Sequence, residues 1–285
     1  MSEPLSFTDS EYNICITSRL LEEDKLYWVA IGGPPLVAIR LAKQLHAPKI
    51  AYVVEDGTIA PEGPAAMPEF MTGGGAGAFR AVAWTNMNTV GLHAALGYMD
   101  YGVLAAVQID QFGNFNSTFI GGTYDHPVRR FGGPGGANEI ASMCWRTIIM
   151  TKLQKRKFVT KLDFMSSPGY LDGTPRARER AGMPPDTGPY RVATEDATFG
   201  FDEKTHRVMI VGLPPWSTVE RVAAKMEFEP LVAEHIEVVE PPSEEELTAL
   251  RSAVDPTGRT LSRGEWMQWD PETGKLARGG GGGEE

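Results

Sequence analysis

The chain is expected to fold as an α/β protein with an open, mostly parallel sheet and flanking helices. A strand, a helix and a second strand follow one another within about thirty residues, as "LYWVAI", "LVAIRLAKQLH" and "KIAYVV". That order is the βαβ unit from which parallel sheets are built. Further apolar runs of strand length recur downstream, among them "GVLAAVQI", "TIIM" and "HRVMIVG". Glycine clusters separate several of these runs ("GGPP", "TGGGAGAF", "FIGGTY", "FGGPGGAN"), marking places where backbone must turn sharply or approach another group closely.

Taken in order, Thr8 and Glu11 have capping-box spacing and open a helix in "EYNICITSRLLEEDK". After "LYWVAI" and the Gly-Gly-Pro-Pro turn, the spacing of Leu36, Ile39, Arg40 and Lys43 suits an amphipathic helix, with Pro35 in its first turn. "KIAYVV" then runs into Glu55. "GVLAAVQI" stops at the turn "DQFGN", and "FNSTFI" reads as the next strand. "FGGPGGAN" is a glycine loop opening the helix "EIASMCW". "TIIM" and "KFVTKLDF" read as strands, "PPDTGPYRV" as a proline-rich loop and "HRVMIVG" as a strand. Ser217 with Glu220 is expected to cap "TVERVAAKM", and Ser243 with Glu246 to cap "EELTALRSAV". Beyond Asp255 the composition turns polar and irregular, and no repeat or long linker appears. The expected organisation is one α/β domain over 1–263 and a flexible Gly-rich tail over 264–285.

Composition narrows the function. With 285 residues, 42% hydrophobic and 22% charged, the chain has ample length for a core and the make-up of a soluble globular protein. A formal net charge of -10 argues against a nucleic-acid partner. It leaves anionic small molecules open, because local arginines and backbone N–H groups bind anions inside acidic proteins. Two cysteines, Cys15 and Cys144, make neither a disulfide framework nor a metal quartet and read as buried thiols. The polar start "MSEPLSFTDSEYN" does not read as a signal peptide, and "YWVAIGGPPLVAI" is too interrupted to span a bilayer. The expected location is cytoplasmic, with no membrane partner.

Two stretches carry chemistry. In "VVEDG", Glu55 stands where an apolar strand stops, and ligands of open α/β sheets bind beyond the carboxyl ends of the strands. It is either a solvated turn residue or a group facing substrate. The loop "GGPGGAN", Gly132 to Asn138, exposes backbone N–H groups at a helix start. It reads as a plain turn, a phosphate cradle or an oxyanion site, and no Walker lysine follows it. Pairing it with Glu55 points to acyl chemistry. A glutamate is ionised at neutral pH without a base, and a thioester offers it a good leaving group. His126, Arg129 and Arg130 precede the loop; either arginine could meet a carboxylate or phosphate, or form a surface ion pair. Asn116 and Ser117 follow the "DQFGN" turn as substrate contacts or turn residues. His46, His93 and His206 lack metal-ligand spacing, so no metal is expected.

"LAKQLHAPKIAYVVEDG", "QIDQFGNFNST", "HPVRRFGGPGGANEIA", "TIIM", "KLDFMSSPGYLDG", "RERAGMPPDTGP" and "FDEKTHRV" together resemble the family I CoA-transferases, specifically the B-type chains of the glutaconate class. The resemblance covers roughly residues 10 to 255. It implies an α/β fold of the CoA-transferase (NagB/RpiA-like) type. It places the family's nucleophile, the glutamate of an E-x-G motif, on Glu55. The family's G-x-G-G-A loop falls on Gly133 to Ala137, so its oxyanion N–H groups map to Gly135 and Gly136. The stretch "TIAPEGPAAMPEFMTGGGAGAF" departs from the glutaconate pattern where acyl-group specificity is expected.

What the resemblance implies is a ping-pong transfer. CoA serves as substrate and as part of a covalent glutamyl-CoA thioester, and no cofactor is permanently bound. An A-type subunit completes a heterotetramer with two chains of each kind. The alternative on the same fold is a CoA-thioester hydrolase that opens rings, or a decarboxylating lyase. Glu55 together with "GGPGGAN" favours transfer.

Overall fold

A computed structural model describes residues 5–29, 33–60, 80–258 and 264–279. The chain opens with β1 (Leu5–Thr8), α1 (Asp9–Arg19), β2 (Leu26–Val29), α2 (Gly33–Leu45) and β3 (Ala51–Val54), followed by β4 (Thr58–Ile59) and β5 (Ala83–Trp84). Next come α3 (Met87–Ala95), β6 (Tyr101–Ala105), β7 (Gln108–Ile109), β8 (Phe115–Asn116), β9 (Phe119–Gly122) and β10 (Pro127–Arg130). Then follow α4 (Ala137–Met143), β11 (Arg146–Met150), α5 (Ala177–Arg180), β12 (Gly188–Ala193), β13 (Thr198–Phe201) and β14 (Val208–Leu213). The last elements are α6 (Val219–Ala223), β15 (Leu231–Val238), α7 (Glu244–Ala249), β16 (Trp266–Asp270) and β17 (Lys275–Arg278).

Ten strands form one mixed sheet in the order β15-β14-β13-β12-β11-β6-β2-β3-β4-β5. Its centre, from β12 to β3, is parallel, and antiparallel pairings flank it on both sides. The predicted α/β class therefore holds, with the parallel character confined mainly to the middle. Period-two alternation divides the side chains between two faces. Trp28, Val53, Leu104 and Ile149 pack with residues of α3 and α4. Tyr27, Val29, Tyr52, Val54, Val103 and Ile148 pack with α1 and α2. Cys15 and Cys144 lie buried as free thiols, one in each of these cores.

Helix α4 lies unusually close to the sheet. A Cβ on Gly102 of β6 would stand 2.1 Å from Ile140 Cγ2, so only glycine lets the helix settle there. Two capping boxes form as expected: Thr8 N–H donates to Glu11 Oε2 at 2.7 Å, and Ser243 N–H to Glu246 Oε2 at 2.7 Å. The third cap is one residue later than expected. Thr218, not Ser217, accepts from Arg221 N–H at 3.2 Å, because Thr218 has the extended backbone of an N-cap.

Four other expectations are corrected. "PPDTGPYRV" is a loop only as far as Thr187, and its remaining residues belong to β12. "KFVTKLDF" is not a strand; Phe158 makes only an isolated bridge to Ile109, and the rest is irregular. "GVLAAVQI" and "FNSTFI" each divide into two strands. The flexible tail expected from residue 264 instead carries β16 and β17, which form a three-stranded sheet with β1 in the order β1-β16-β17. The alternation in "WMQWD" supplies the reason: Met267 and Trp269 are buried while Trp266 is exposed. Residues 280–285 lie outside the described residues. No helix among the described residues is long and apolar enough to cross a membrane.

Candidate active site

The central parallel strands put their carboxyl ends on one side, and Glu55 follows the last residue of β3 there. The turn that carries it is tightly held. Gly57 N–H donates to Val54 O at 3.0 Å, and Thr58 N–H to Asp56 Oδ1 at 2.9 Å. Gly57 has φ +94°, and a Cβ there would lie 2.3 Å from Thr85 O, inside any allowed contact. The glycine two residues after the glutamate is thus required by backbone shape and by the close approach of Thr85. Thr85 N–H returns a hydrogen bond to Gly57 O at 2.9 Å.

The glycine loop arrives from the other side. Phe131 N–H donates to Thr118 O at 2.9 Å and Gly133 N–H to Ser117 O at 3.1 Å, and the chain then turns with Ala137 N–H on Pro134 O at 2.8 Å. Helix α4 leads directly into β11, which runs parallel to β6. The helix therefore runs back along the sheet, and its first turn lies at the strands' carboxyl end. The result is a contact across 81 positions of sequence: Gly136 N–H donates to Glu55 Oε1 at 2.9 Å.

Space around that bond is scarce. A Cβ at Gly136 would lie 3.0 Å from Glu55 Oε1 and 3.5 Å from Trp28 Cζ2. Gly136 has φ -78°, so its need for glycine is steric. Gly135 has φ +51°, and a Cβ there would lie 3.3 Å from the same oxygen. Trp28, fully buried on β2, forms the wall beneath, and its indole N–H is buried without a hydrogen-bond partner. Among the described residues, Glu55 Oε2 accepts no hydrogen bond, and the side chain is only half-buried.

The other predicted contacts divide. Asn116 is fully buried, and its amide donates to Gln108 Oε1 at 2.7 Å and Phe119 O at 2.6 Å while accepting from Thr118 N–H at 2.9 Å. Those bonds occupy both of its amide donors within the scaffold. Arg130 likewise serves the β9–β10 hairpin: its guanidinium donates to Tyr124 O and lies 4.6 Å from the Tyr124 ring centroid. Arg129 is exposed, with its guanidinium 5.0 Å from the Phe131 ring centroid. The Ser117 hydroxyl is buried and unpartnered. The stretch expected to set acyl specificity lies, from residue 61 to residue 79, outside the described residues.

Sequence reasoning missed Trp28, and it missed the groups that support the glycine loop. Ser166 Oγ accepts from Ser117 N–H at 2.9 Å and shares a hydrogen bond with Thr118 Oγ1 at 2.6 Å. Arg178 reaches α4 from α5. Both lie within matching stretches, "MSSPG" and "RERAG", whose residue types alone name no chemistry. Among the described residues, no group of three or more His, Cys, Asp or Glu side chains is placed to hold a metal ion.

Comparison with known proteins identifies the family. The sequence profile of the family described as Coenzyme A transferase matches residues 27–225. The B-type chain of glutaconate CoA-transferase from Acidaminococcus fermentans is 34% identical over 90% of this chain and 96% of its own. The B-type chain of 3-oxoadipate CoA-transferase from Pseudomonas knackmussii is 30% identical over 87% of this chain and 93% of its own. The crystal structure of the Acidaminococcus fermentans glutaconate coenzyme A-transferase superposes with a TM-score of 0.80 at 31% identity, covering 90% of this chain and 98% of that one. A match along nearly the whole length, with both sequence and fold in agreement, places this chain in the coenzyme A transferase family, as an enzyme subunit of the B type.

Proposed function

We propose that Glu55 is the nucleophile of a heteromeric CoA-transferase that moves CoA between carboxylic acids. The observation that carries this reading is the 2.9 Å hydrogen bond from Gly136 N–H to Glu55 Oε1. It leaves Oε2 free to attack the thioester carbonyl of a donor acyl-CoA. Collapse expels CoA thiolate and leaves an acyl-glutamyl anhydride. The thiolate then attacks Cδ of Glu55, the donor carboxylate departs, and a glutamyl-CoA thioester remains. An acceptor carboxylate attacks the same Cδ, and the steps run in reverse. Each attack on Cδ puts negative charge on its carbonyl oxygen, Oε1, where the Gly136 N–H already points. Gly135 and Gly136 together are the oxyanion donors of this reading. CoA is the substrate, and no permanently bound cofactor takes part.

Incubating the assembled enzyme with acetyl-CoA, then borohydride, should reduce the glutamyl thioester and leave a mass change on the peptide that holds Glu55. A panel of carboxylate acceptors that includes glutaconate and 3-oxoadipate names the second substrate. Release of free acid and CoA with no acceptor present would replace transfer by hydrolysis. The exposed Arg129 is the cation offered to a substrate carboxylate or CoA phosphate. The unpartnered Ser117 hydroxyl is a further donor beside the loop. Gly136→Val should lower kcat about 100-fold, the scale of losing one oxyanion donor, because the added methyls crowd Oε1 and Trp28. A folded Gly136→Val enzyme with normal kcat would make the loop purely structural.

The partner in this reading is an A-type subunit, in a complex with two chains of each kind. Its support is an apolar surface next to the site: Val82, Trp84, Met87, Leu92, Leu96 and Tyr98 are 49–79% exposed. This segment touches the Glu55 turn through the Thr85–Gly57 hydrogen bond. A patch of that kind marks an interface. The chain alone should self-associate and show no turnover, and co-expression with an A-type chain should give a heterotetramer by light scattering and restore activity. An active, monodisperse preparation of this chain alone would contradict it.

A further inference from the structure

Arg178 presents a problem in electrostatics. It is 5% exposed, and among the described residues it forms no ion pair with a carboxylate. Burial pulls its pKa down to about 10, so it remains a cation at neutral pH. A buried cation is tolerated only where hydrogen bonds replace its water. Here the replacements are mainly backbone carbonyls. Nη2 donates to Ala141 O at 2.9 Å and Ser142 O at 3.1 Å, and Nη1 to Gly169 O at 2.7 Å. Nη2 also reaches Thr187 Oγ1 at 3.0 Å. Ala141 and Ser142 belong to the last turn of α4, whose unsatisfied carbonyls form the negative end of the helix dipole.

The other end of the same helix is held by the same excursion of chain between β11 and β12. Asn138 Nδ2, in the first turn, donates to Ser166 O at 3.0 Å. Gly169, which accepts from Arg178, lies three residues further on. Gly102 lets the helix sit flush on β6. Helix α4 has seven residues and is thus gripped at both ends. Its position decides where the Gly136 N–H stands relative to Glu55.

We propose that Arg178 and Asn138 are positioning residues for the reaction: they clamp α4 from the loop between β11 and β12 and so keep the Gly136 N–H in register with Glu55 Oε1. The proposal rests on the reading of Glu55 as nucleophile. The role assigned to both is one of position, exerted through α4. A slip of about an ångström along the helix axis would break the register, and misplacement on that scale costs on the order of 100-fold in rate.

The test uses the assembled enzyme with acetyl-CoA and the carboxylate that the acceptor panel selects. Arg178→Ala should lower kcat about 100-fold with KM for acetyl-CoA within about threefold, and slow the borohydride-trappable adduct in parallel. Arg178 lines an open cavity of about 700 Å³, so guanidinium ion can enter the space the side chain leaves. Guanidinium at tens of millimolar should therefore restore part of kcat, while the same concentration of urea should not. Arg178→Lys should remain impaired, since one ammonium cannot reach carbonyls in two segments. If Arg178→Ala does not assemble, Asn138→Ala decides: its side chain is on the exposed side of α4, and kcat should fall about tenfold with thermal stability kept. Normal kcat in either folded variant, or a loss in Arg178→Ala that guanidinium leaves untouched, would overturn the clamp. A wild-type enzyme that traps no adduct on Glu55 would instead overturn the nucleophile, while guanidinium rescue would still report on α4.

Discussion

Glu55→Gln is expected to give a folded chain that assembles normally and turns over at least about 10⁴-fold more slowly, the scale on which loss of a covalent nucleophile is felt. The substitution is informative because it changes so little else. Glutamine keeps an oxygen at the Oε1 position, so the Gly136 N–H retains its acceptor and the turn Val54–Gly57 its shape. What disappears is the anionic Oε2, which in the proposed reaction makes the first bond to the acyl carbon. Glu55→Asp should keep weak activity. Its carboxylate is withdrawn by about an ångström from both Gly136 and substrate, which costs on the order of 100-fold. Steady-state rates beside thermal unfolding curves separate the two effects. Turnover near the normal rate in Glu55→Gln, with the substitution intact by mass spectrometry, would exclude Glu55 as nucleophile.

The largest expected effect on stability lies far from Glu55, at Asp196. This carboxylate is fully buried in the turn between β12 and β13, and three cations converge on it. Arg278 Nη2 lies 2.5 Å from Oδ1, Arg221 Nε lies 3.7 Å from the same oxygen, and Lys225 pairs with Oδ2. Arg278 comes from β17 and Arg221 from α6, so one anion joins the C-terminal hairpin to the main body. Removing one partner of a buried ion pair costs about 3–5 kcal/mol. The side chains of Arg278, Lys225 and Arg221 are 20%, 31% and 40% exposed, so they regain some hydration. The lower end, about 3 kcal/mol, is therefore expected for Asp196→Ala. In a chain of this size that lowers Tm by about 6–12 °C. Amide exchange across residues 266–278 should rise most. An unchanged Tm with full protection there would show that β16 and β17 are held by pairing with β1 and by the packing of Met267 and Trp269, without Asp196.

Local signals were legible in the sequence wherever the interaction they encode is itself local. The Thr8–Glu11 and Ser243–Glu246 boxes each span three residues, and both form. At Ser217 and Thr218 two adjacent hydroxyls competed for one cap, and backbone shape, which spacing does not encode, chose the second. "KFVTKLDF" alternates like a strand, but Gln108 bonds Asp163 and Ile109 bridges Phe158, so side chains and a single bridge hold it. In the site, Glu55 was legible because a strand end and a turn announce it. The Gly136 contact was reached through the family resemblance and not from the residues themselves, since the direction of α4 is what brings those positions together. Arg178 escaped notice for a different reason: its partners are mainly carbonyls of chain segments, and any residue type supplies a carbonyl.

The pairing of β1 with β16 sets Thr8 opposite Trp266. β1 thus finds its partner only 258 positions later in the chain. The central parallel strands lie between β2 and β12, so their pairing partners have all emerged by Ala193, long before that happens. Residues 5–8 must wait through the synthesis of the whole central sheet. Phe7, fully buried in the finished fold, shares its cluster with Met267 and Trp269 and lacks both until that stretch is made. Chains cut short after the core would carry Glu55 and Gly136 together with a permanently unpaired β1.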